Sequence, residues 1–213
     1  TISEVWDPDI KDAAGKKVGG FAAETISVTD NTSIDASGNI LEQTVTSFTV
    51  KDAVAGKSVP ELIALAGGTG ADDIAALRVK MTDCFDYSER TSVKNKGPFR
   101  RGTPAEVQSV SELYDSDAKV FKVDSMKITK NGMVNANGNV MESEVETLLI
   151  KDAFANMTKK DLDADYATPG KVGIDPKTGT KFAFDDAYFE PSELVVTKNF
   201  GFRRNTPVRS ETI

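Results

Sequence analysis

The sequence predicts a mainly β fold, with α+β as the alternative, built from two homologous antiparallel β lobes that each carry a short helix. Three observations support this prediction. Two long segments are copies of each other, strand-like segments flank turns rich in Asn and Gly in both copies, and each copy has a helix start signal.

The duplication is the most informative of these observations. Residues 21–55 and 121–155 align without a gap at an offset of 100, and the best-matched stretches are Asp35–Glu42 and Asn135–Glu142. A second shared motif closes each copy at an offset of 103, so the second copy holds a net insertion of three residues. An internal duplication gives a pseudo-symmetric molecule, which is a common starting point for symmetric assembly.

The repeat also sets the expected organisation of the chain. A unit of about 85 residues buries little surface alone, so we expect the lobes to pack on each other or on neighbouring molecules. Trp6 lies in a polar N-terminal arm, where it is a candidate to anchor the arm in a groove of its own or a neighbouring molecule. The expected parts are an arm at 1–20, a first β lobe at 21–105, a linker at 106–120, a second β lobe at 121–208 and a tail at 209–213.

The first strand of each copy is predicted at Phe21–Thr29 and Phe121–Thr129, and the second of these segments alternates clearly between apolar and polar residues. In the second copy, Val123 lies on one phase of the alternation, whereas Met126 and Ile128 lie on the other.

A turn and a second strand follow in each copy. The turn at residues 35–39 and its repeat contain Gly and Asn, which tolerate positive φ. Long strands are then predicted at Ile40–Val50 and Val140–Ile150. Their last residues, such as Leu148–Ile150, no longer alternate, so we expect these strand ends to be buried on both faces, by a helix, the other lobe or a partner.

A helix start signal comes next. Ser58–Glu61 has capping-box spacing with a proline in the first turn, and Gly67 and Gly68 end the helix. Thr158–Asp161 opens the corresponding helix of the second copy, which Pro169 and Gly170 close. A second helical turn is expected at Asp72–Leu77.

Strands are expected to return after the helices. They are predicted at Leu77–Thr82, where alternate residues are apolar, and at Lys181–Phe184 after a turn at Asp175–Gly179. A last strand at Leu194–Lys198 leads into the second shared motif.

The composition excludes several function classes. The formal net charge of −7 argues against a general nucleic-acid binder and against attraction to an anionic membrane surface. No apolar run is long enough to predict a membrane-spanning helix. Because the first residue is Thr1, we expect a processed or trimmed N-terminus, with a leader of unspecified type removed.

The usual catalytic residues are missing. The sequence contains no histidine, which removes Ser-His-Asp and Cys-His catalysis and histidine-ligated zinc. The single cysteine, Cys84, is expected to be a small, buried and inert residue. Asp161, Asp163 and Asp165 have calcium-loop spacing, but Tyr166 stands where that loop needs glycine, which favours a solvated acidic helix start. We therefore predict no catalytic, metal-binding or cofactor-binding residue and no cofactor.

The second shared motif is the best candidate for an interaction site. A guanidinium group suits bidentate pairing with a carboxylate or phosphate, and the adjacent phenylalanine supplies an apolar anchor. Three interpretations stay open: a contact between copies of the chain, an internal structural link that closes each lobe, and a phosphate-binding site. The motif consists of Phe99, Arg100 and Arg101 before Gly-Thr-Pro in the first copy, and of Phe202, Arg203 and Arg204 before Asn-Thr-Pro in the second.

Two acidic, β-rich lobes in tandem, each ending near Phe-Arg-Arg-x-Thr-Pro, resemble the pyrenoid shell proteins (PyShell) of diatoms and related algae over about residues 20–208. The resemblance implies two conserved regions related by pseudo-twofold symmetry and a chloroplast protein whose targeting sequence has been removed. It also implies copies that tile into a protein sheet around the Rubisco condensate, helping to confine CO2, with no active site. Rubisco or other pyrenoid components are the partners that it suggests.

Two other function classes stay open. A scaffold, linker or viral coat-type subunit would bind protein partners without forming an autonomous lattice, and a histidine-free enzyme would need two close carboxylates in a cleft. The residues themselves favour a self-associating β protein; the pyrenoid and Rubisco follow from the resemblance alone.

Overall fold

The computed structural model describes residues 1–10, 14–70, 73–167, 188–203 and 206–213. Its strands form one antiparallel sheet in which the spatial order follows the sequence order from β1 to β9, and the mainly β prediction is confirmed. The strands are β1 Ile2–Asp7, β2 Gly20–Ile34, β3 Ile40–Val50, β4 Phe85–Lys96, β5 Glu106–Asp115, β6 Val120–Val134, β7 Val140–Ile150, β8 Phe189–Arg203 and β9 Thr206–Thr212. The helices are α1 Val59–Leu65, α2 Ile74–Val79, α3 Met81–Cys84 and α4 Lys159–Ala167.

The duplication extends beyond the segments that align at an offset of 100. Phe85–Gly97 (FDYSERTSVKNKG) and Phe189–Gly201 (FEPSELVVTKNFG) match at an offset of 104 and form β4 and β8. Ile2–Asp7 (ISEVWD) and Val110–Asp115 (VSELYD) match at an offset of 108 and lie in β1 and β5. The repeating unit is therefore four strands, with its helices between the third and fourth strands.

Two segments expected to lie outside the lobes are strands of the sheet. The N-terminal arm contains β1, and the expected linker at 106–120 contains β5. The strand paired with each of them carries a bulge at the same position, β2 opposite Ser3 and Glu4 of β1, and β6 opposite Ser111 and Glu112 of β5. Strands β1 and β5 were not predicted because a half-exposed strand buries few residues, so its sequence shows little hydrophobic alternation. The expected tail at 209–213 belongs largely to β9.

A bulge in β6 explains why Val123, Met126 and Ile128 are all buried, although they do not share one phase. Ser111 pairs with Ser125 but Glu112 pairs with Val123, so one extra residue of β6 lies between the two pairs. An extra residue reverses the alternation beyond it.

The ends of β3 and β7 are each buried on one face by the described residues. Leu148 is fully buried, whereas Leu149 is 42% exposed. In β3, Phe48 is buried and Thr49 is exposed in the same way. Alternation therefore continues to the ends of both strands, and the described residues cover only one face. Burial of the other face by a partner stays a prediction.

The helix start signals are confirmed in both copies. The Ser58 backbone N–H donates to Glu61 Oε2 at 2.8 Å, and the Ser58 hydroxyl donates to the same oxygen at 2.8 Å. In the second copy, the Asp161 backbone N–H donates to Thr158 Oγ1 at 3.2 Å. Gly67, with φ +83°, follows α1 in the left-handed conformation that glycine adopts readily.

The strand predicted at Leu77–Thr82 is wrong, because these residues belong to α2 and α3. Leu77 and Met81 are buried but Val79 is 84% exposed, which fits a spacing of four residues on a helix rather than a strand alternation. The expected turn at Asp72–Leu77 corresponds to the start of α2. The predicted Pro169-Gly170 helix end, the turn at Asp175–Gly179 and the strand at Lys181–Phe184 lie outside the described residues.

The chain divides into two compact units, one comprising residues 1–29 and 45–89 and the other residues 30–44 and 90–213. In the first unit, α1 and α2 bury Leu62, Ile63 and Leu77 in an apolar core. In the second, α4 contributes Leu162 to a separate core that includes Phe189. Burying each such side chain contributes roughly 1.5–3 kcal/mol, so each helix is held by its apolar face.

Candidate assembly surfaces

The first arginine motif forms a tight hairpin between β4 and β5. Arg100 and Thr103 exchange two backbone hydrogen bonds of 2.9 and 3.0 Å. Arg101 and Gly102, between them, have φ of +49° and +83°, the pattern of a two-residue turn that matches the twist of the flanking strands. The Arg101 side chain is exposed at the tip.

This hairpin packs on the turn that joins β6 to β7. Arg100 Nη1 donates to the Val134 carbonyl at 3.0 Å, and Thr103 Oγ1 donates to the Gly138 carbonyl at 2.8 Å. The side chain of Asn131 donates to the Pro104 carbonyl at 2.8 Å. In the first copy, the motif therefore makes internal structural contacts through Arg100.

In the second copy, the motif lies at the β8–β9 hairpin. Phe202 is half-buried and Arg203 is exposed, and Arg203 pairs with Thr206 in the ladder. Arg204, the remaining candidate residue, lies outside the described residues. The structure therefore brings Phe99, Arg100 and Arg101 together in one hairpin, and Phe202 and Arg203 in another.

The turns at 35–39 and 135–139 are alike in backbone but not in surroundings. In the first turn, Oδ1 of the Asp35 carboxylate accepts hydrogen bonds from the backbone N–H groups of Ser37 and Asn39. In the second turn, Oδ1 of the Asn135 amide accepts them from Asn137 and Asn139. The Asn39 side-chain hydrogen bond is the main cause that lowers the pKa of Asp35.

The glycines of the two turns show the difference in surroundings. Gly38 and Gly138 have φ of +84° and +85°. A Cβ atom at Gly138 would lie 3.1 Å from the Arg100 carbonyl oxygen and 3.1 Å from Arg101 Cβ, whereas one at Gly38 would meet nothing within 4 Å. The first-copy turn is therefore open at the place where the second-copy turn is covered by an arginine hairpin.

Trp6 lies on β1 with its aromatic side chain at the surface. Its ring makes an edge contact with Phe21, at 5.3 Å between centroids, and the two side chains are 58% and 57% exposed. The equivalent pair in the second copy, Tyr114 and Phe121, lies 5.1 Å apart, and both residues are half-buried.

Arg90, which sequence reasoning missed, covers the Phe121 ring of the second pair. The Arg90 guanidinium lies 4.4 Å from the centroid of the Phe121 ring and donates to Glu112 through Nε and Nη2, both at 2.7 Å. The hydrogen bonds to Glu112 are the main cause that raises the pKa of Arg90. Glu112 is fully buried and also accepts the Lys159 backbone N–H at 3.3 Å.

The matched carboxylate of the first copy makes only part of this arrangement. Glu4 accepts the Val59 backbone N–H at 3.3 Å, as Glu112 accepts that of Lys159, but Glu4 is exposed. The position equivalent to Arg90 is Leu194, which is 59% exposed. A match of β1 to β5 and of β4 to β8 in the sequence was the signal that could have revealed this difference.

The three acidic residues with calcium-loop spacing, Asp161, Asp163 and Asp165, each interact with a different residue of the chain. The Thr158 hydroxyl, as the leading cause, lowers the pKa of Asp161. Asp163 pairs with Lys159, and Asp165 accepts the Tyr188 hydroxyl hydrogen bond at 2.6 Å. In the part of the chain that the structure describes, no three His, Cys, Asp or Glu residues are grouped so that they could hold a metal ion.

Comparison with known proteins does not identify the chain: no protein-family model matches it, and neither a curated protein nor a solved structure is found to be similar. Within the described ranges, none of the helices has the length and apolar character required to cross a membrane.

Proposed function

We propose that this chain is a non-enzymatic structural protein that self-assembles into a sheet-like protein shell. The observation that carries the proposal is the side-by-side repetition of a four-strand unit, since β5–β8 follow β1–β4 in one continuous strand order. A unit whose sheet accepts a second unit at its edge has a physical route to assembly, because an edge strand offers unpaired backbone N–H and C=O groups.

The resemblance to pyrenoid shell proteins supplies the biological part of the proposal. We place the shell at the pyrenoid periphery of a chloroplast, around Rubisco, where it would support CO2 concentration. The resemblance also implies that the two copies of the unit form two lobes related by a pseudo-twofold axis. Localisation of a fluorescent fusion in a diatom tests this part, and a signal away from the pyrenoid would contradict it.

The roles of the acidic residues agree with a structural rather than a catalytic chain. Glu112 binds Arg90, Glu61 caps α1, and Asp35 closes a turn. These carboxylates are satisfied by groups of the chain itself, which leaves them poorly placed as general acids or bases for a substrate.

The first test is electron microscopy of the negatively stained protein over a range of protein and salt concentrations, with sedimentation in parallel. Ordered sheets or tubes are expected. A protein that stays monomeric throughout would contradict autonomous assembly and direct attention to a partner-bound scaffold or coat-type subunit.

The two arginine pairs provide a matched set of variants. Replacing Arg100 and Arg101 with alanine is expected to destabilise the fold, because Arg100 binds the Val134 carbonyl. Replacing Arg203 and Arg204 is expected to leave the monomer folded and to weaken assembly. Equal loss of thermal stability in both double variants would instead assign both motifs to internal structure.

A further inference from the structure

Strand β9 covers only half of β8. Their pairs run from Arg203 with Thr206 to Thr197 with Thr212, and Val196 then exchanges backbone hydrogen bonds with Ile213 at 2.9 and 3.0 Å. On this side, the Phe189–Val195 half of β8 faces no strand among the described residues. Within the described ranges, the backbone groups on this side of that half pair with no strand, so they offer an edge to an incoming strand.

The β4–β5 junction shows what a complete neighbour looks like at this position. There, the Thr91 and Ser111 hydroxyls lie 3.4 Å apart, and Arg90 binds Glu112. The first part of β5 corresponds to β9 at an offset of 103, and the second part corresponds to β1 at an offset of 108. Strands β9 and β1 are thus the two halves of a β5-type strand.

As far as the structure describes the chain, the opposite edge of the sheet lacks the complementary half of such a strand. In the second copy, Glu106–Gln108 of β5 pairs with Ile128–Lys130 of β6. In the first copy, β1 reaches β2 only as far as Ser27, whose N–H donates to the Thr1 carbonyl at 2.8 Å. The residues that correspond to Glu106–Gln108 by the repeat are Arg209–Glu211 of β9.

We propose that β9 of one copy and β1 of a second copy join into a composite strand equivalent to β5, which links copies head to tail through a continuous sheet. The inference rests on the proposed self-assembly and names the contact. In this arrangement, β1 of the second copy pairs with the Phe189–Val195 half of β8, and β9 pairs with β2 of the second copy.

The open turn at Gly38 gives independent support. Extending the repeat places the Arg203–Thr206 hairpin of one copy on the 35–39 turn of the next, as the Arg100–Thr103 hairpin lies on the 135–139 turn within the chain. The turn that would receive this hairpin carries Asp35, where the internal one carries Asn135. A carboxylate beside incoming arginines adds charge complementarity to the contact.

The side chains at the proposed junction between copies differ from those at the β4–β5 junction, but they still fit together. Leu194 would take the place of Arg90 over the aromatic ring, which is Phe21 in the first copy. Leu194, Phe21 and Trp6 are all more than half exposed in the single chain, so the junction would cover an apolar patch. Glu4 would face Leu194 without an arginine, which makes the contact between copies weaker than the internal junction.

Two positions of the composite strand could be filled by residues of either copy. Thr1 and Ile2 correspond to the same two positions as Thr212 and Ile213. One of these residue pairs therefore leaves the ladder when the composite strand forms. Because the contact joins two different edges, it is heterologous and produces filaments or rings, and a two-dimensional sheet needs a second contact.

Cysteine cross-linking between separately prepared chains tests the register. The Val196–Ile213 pair is hydrogen-bonded, so the next pair, Val195 with Ser3 of the second copy, is a non-hydrogen-bonded pair with Cα atoms about 4.5 Å apart. That spacing permits a disulfide. Ser3→Cys and Val195→Cys chains, each also carrying Cys84→Ala, are mixed and oxidised mildly. A Ser3→Cys and Val208→Cys mixture is the control, because Val208 lies roughly 20 Å along the strand.

We expect a cross-linked dimer from the first mixture and little from the control. Assembly without this cross-link would overturn the composite strand but leave the proposed shell standing, whereas a monomer at every concentration would overturn both. A single chain carrying both cysteines that closes on itself at low concentration would also overturn the inference, because its two edges would then satisfy each other.

Substitutions at Leu194 test the same junction without oxidation. Leu194→Glu places a carboxylate opposite Glu4 and is expected to raise the concentration needed for assembly by about tenfold or more. Val79→Glu adds the same charge at an exposed apolar residue outside the junction and is expected to have little effect. Leu194→Arg recreates the Arg90–Glu112 pair and is expected to lower the assembly concentration. Unchanged assembly in both Leu194 variants would contradict the register.

Discussion

Arg90 and Glu112 form a bidentate ion pair across β4 and β5, with both nitrogen–oxygen distances at 2.7 Å. Glu112 is fully buried, while the Arg90 side chain is 35% exposed and lies over the Phe121 ring. The pair therefore depends on Arg90 to compensate the desolvation of a buried carboxylate.

We expect Arg90→Ala to lower the free energy of unfolding by about 3 kcal/mol, because the substitution removes the cationic partner of Glu112 while the carboxylate stays buried. The matched control is Leu194→Ala at the equivalent position of β8, which should cost less than about 0.5 kcal/mol in the single chain because Leu194 is 59% exposed. Urea unfolding at low protein concentration measures both. Similar costs for the two variants would contradict the importance assigned to the ion pair.

The sequence predicted the parts of the fold in which local patterns are strong. Ile40–Val50 and Val140–Ile150 coincide with β3 and β7, and the capping signals at Ser58 and Thr158 precede α1 and α4. Strands β1 and β5 were missed because their polar, half-exposed residues show little alternation. The Leu77–Thr82 error arose because three apolar residues at alternate positions also fit a helix, where Val79 points to solvent.

The candidate site was predicted less completely than the fold. The sequence located both arginine hairpins, but it did not show that Arg100 binds a backbone carbonyl of a turn 34 residues further along the chain. The Arg90–Glu112 pair was missed because its members, 22 residues apart, belong to strands that were not predicted. Contacts of this kind follow from strand register, which local periodicity does not determine.

The turn glycines should respond differently to the same substitution. Both Gly38→Ala and Gly138→Ala meet the strain of positive φ, about 1 kcal/mol, but only Gly138→Ala also places a Cβ atom 3.1 Å from the Arg100 carbonyl. Thermal unfolding at low concentration should show the larger loss for Gly138→Ala. Gly38→Ala should instead weaken assembly, so a Gly38→Ala protein that assembles normally would argue against docking at the first-copy turn.

Cys84 should react slowly in the folded protein. Its side chain is buried, and desolvation, the largest cause, raises the pKa of the thiol, so the reactive thiolate is scarcer at a given pH. At pH 8, we expect Ellman's reagent to modify the native thiol about tenfold or more slowly than the urea-unfolded thiol. Val79→Cys in a Cys84→Ala background provides an exposed comparison. Equal rates for Cys84 and this comparison would contradict burial of Cys84.

The capping box of α1 should give a pH-dependent contribution to stability. The Ser58 backbone N–H, as the leading cause, lowers the pKa of Glu61 below its ordinary value of 4.5. A carboxylate with a lowered pKa stabilises the fold above 4.5, and this contribution is lost as the pH falls through the folded-state pKa. Glu61→Gln should therefore cost up to about 1 kcal/mol at pH 7 and less at pH 3. A cost that grows on acidification would have the wrong sign.

Trp6 provides a direct optical readout of the proposed junction. It is the single tryptophan of the chain and is 58% exposed, whereas its second-copy equivalent, Tyr114, is half-buried beside a ring that Arg90 covers. If Leu194 of a neighbouring copy covers Phe21, the surroundings of Trp6 become less polar on assembly. We expect the emission maximum to shift to shorter wavelength as protein concentration rises, and Leu194→Glu to shift it only at higher concentration. Assembly without a spectral change would place the contact away from β1.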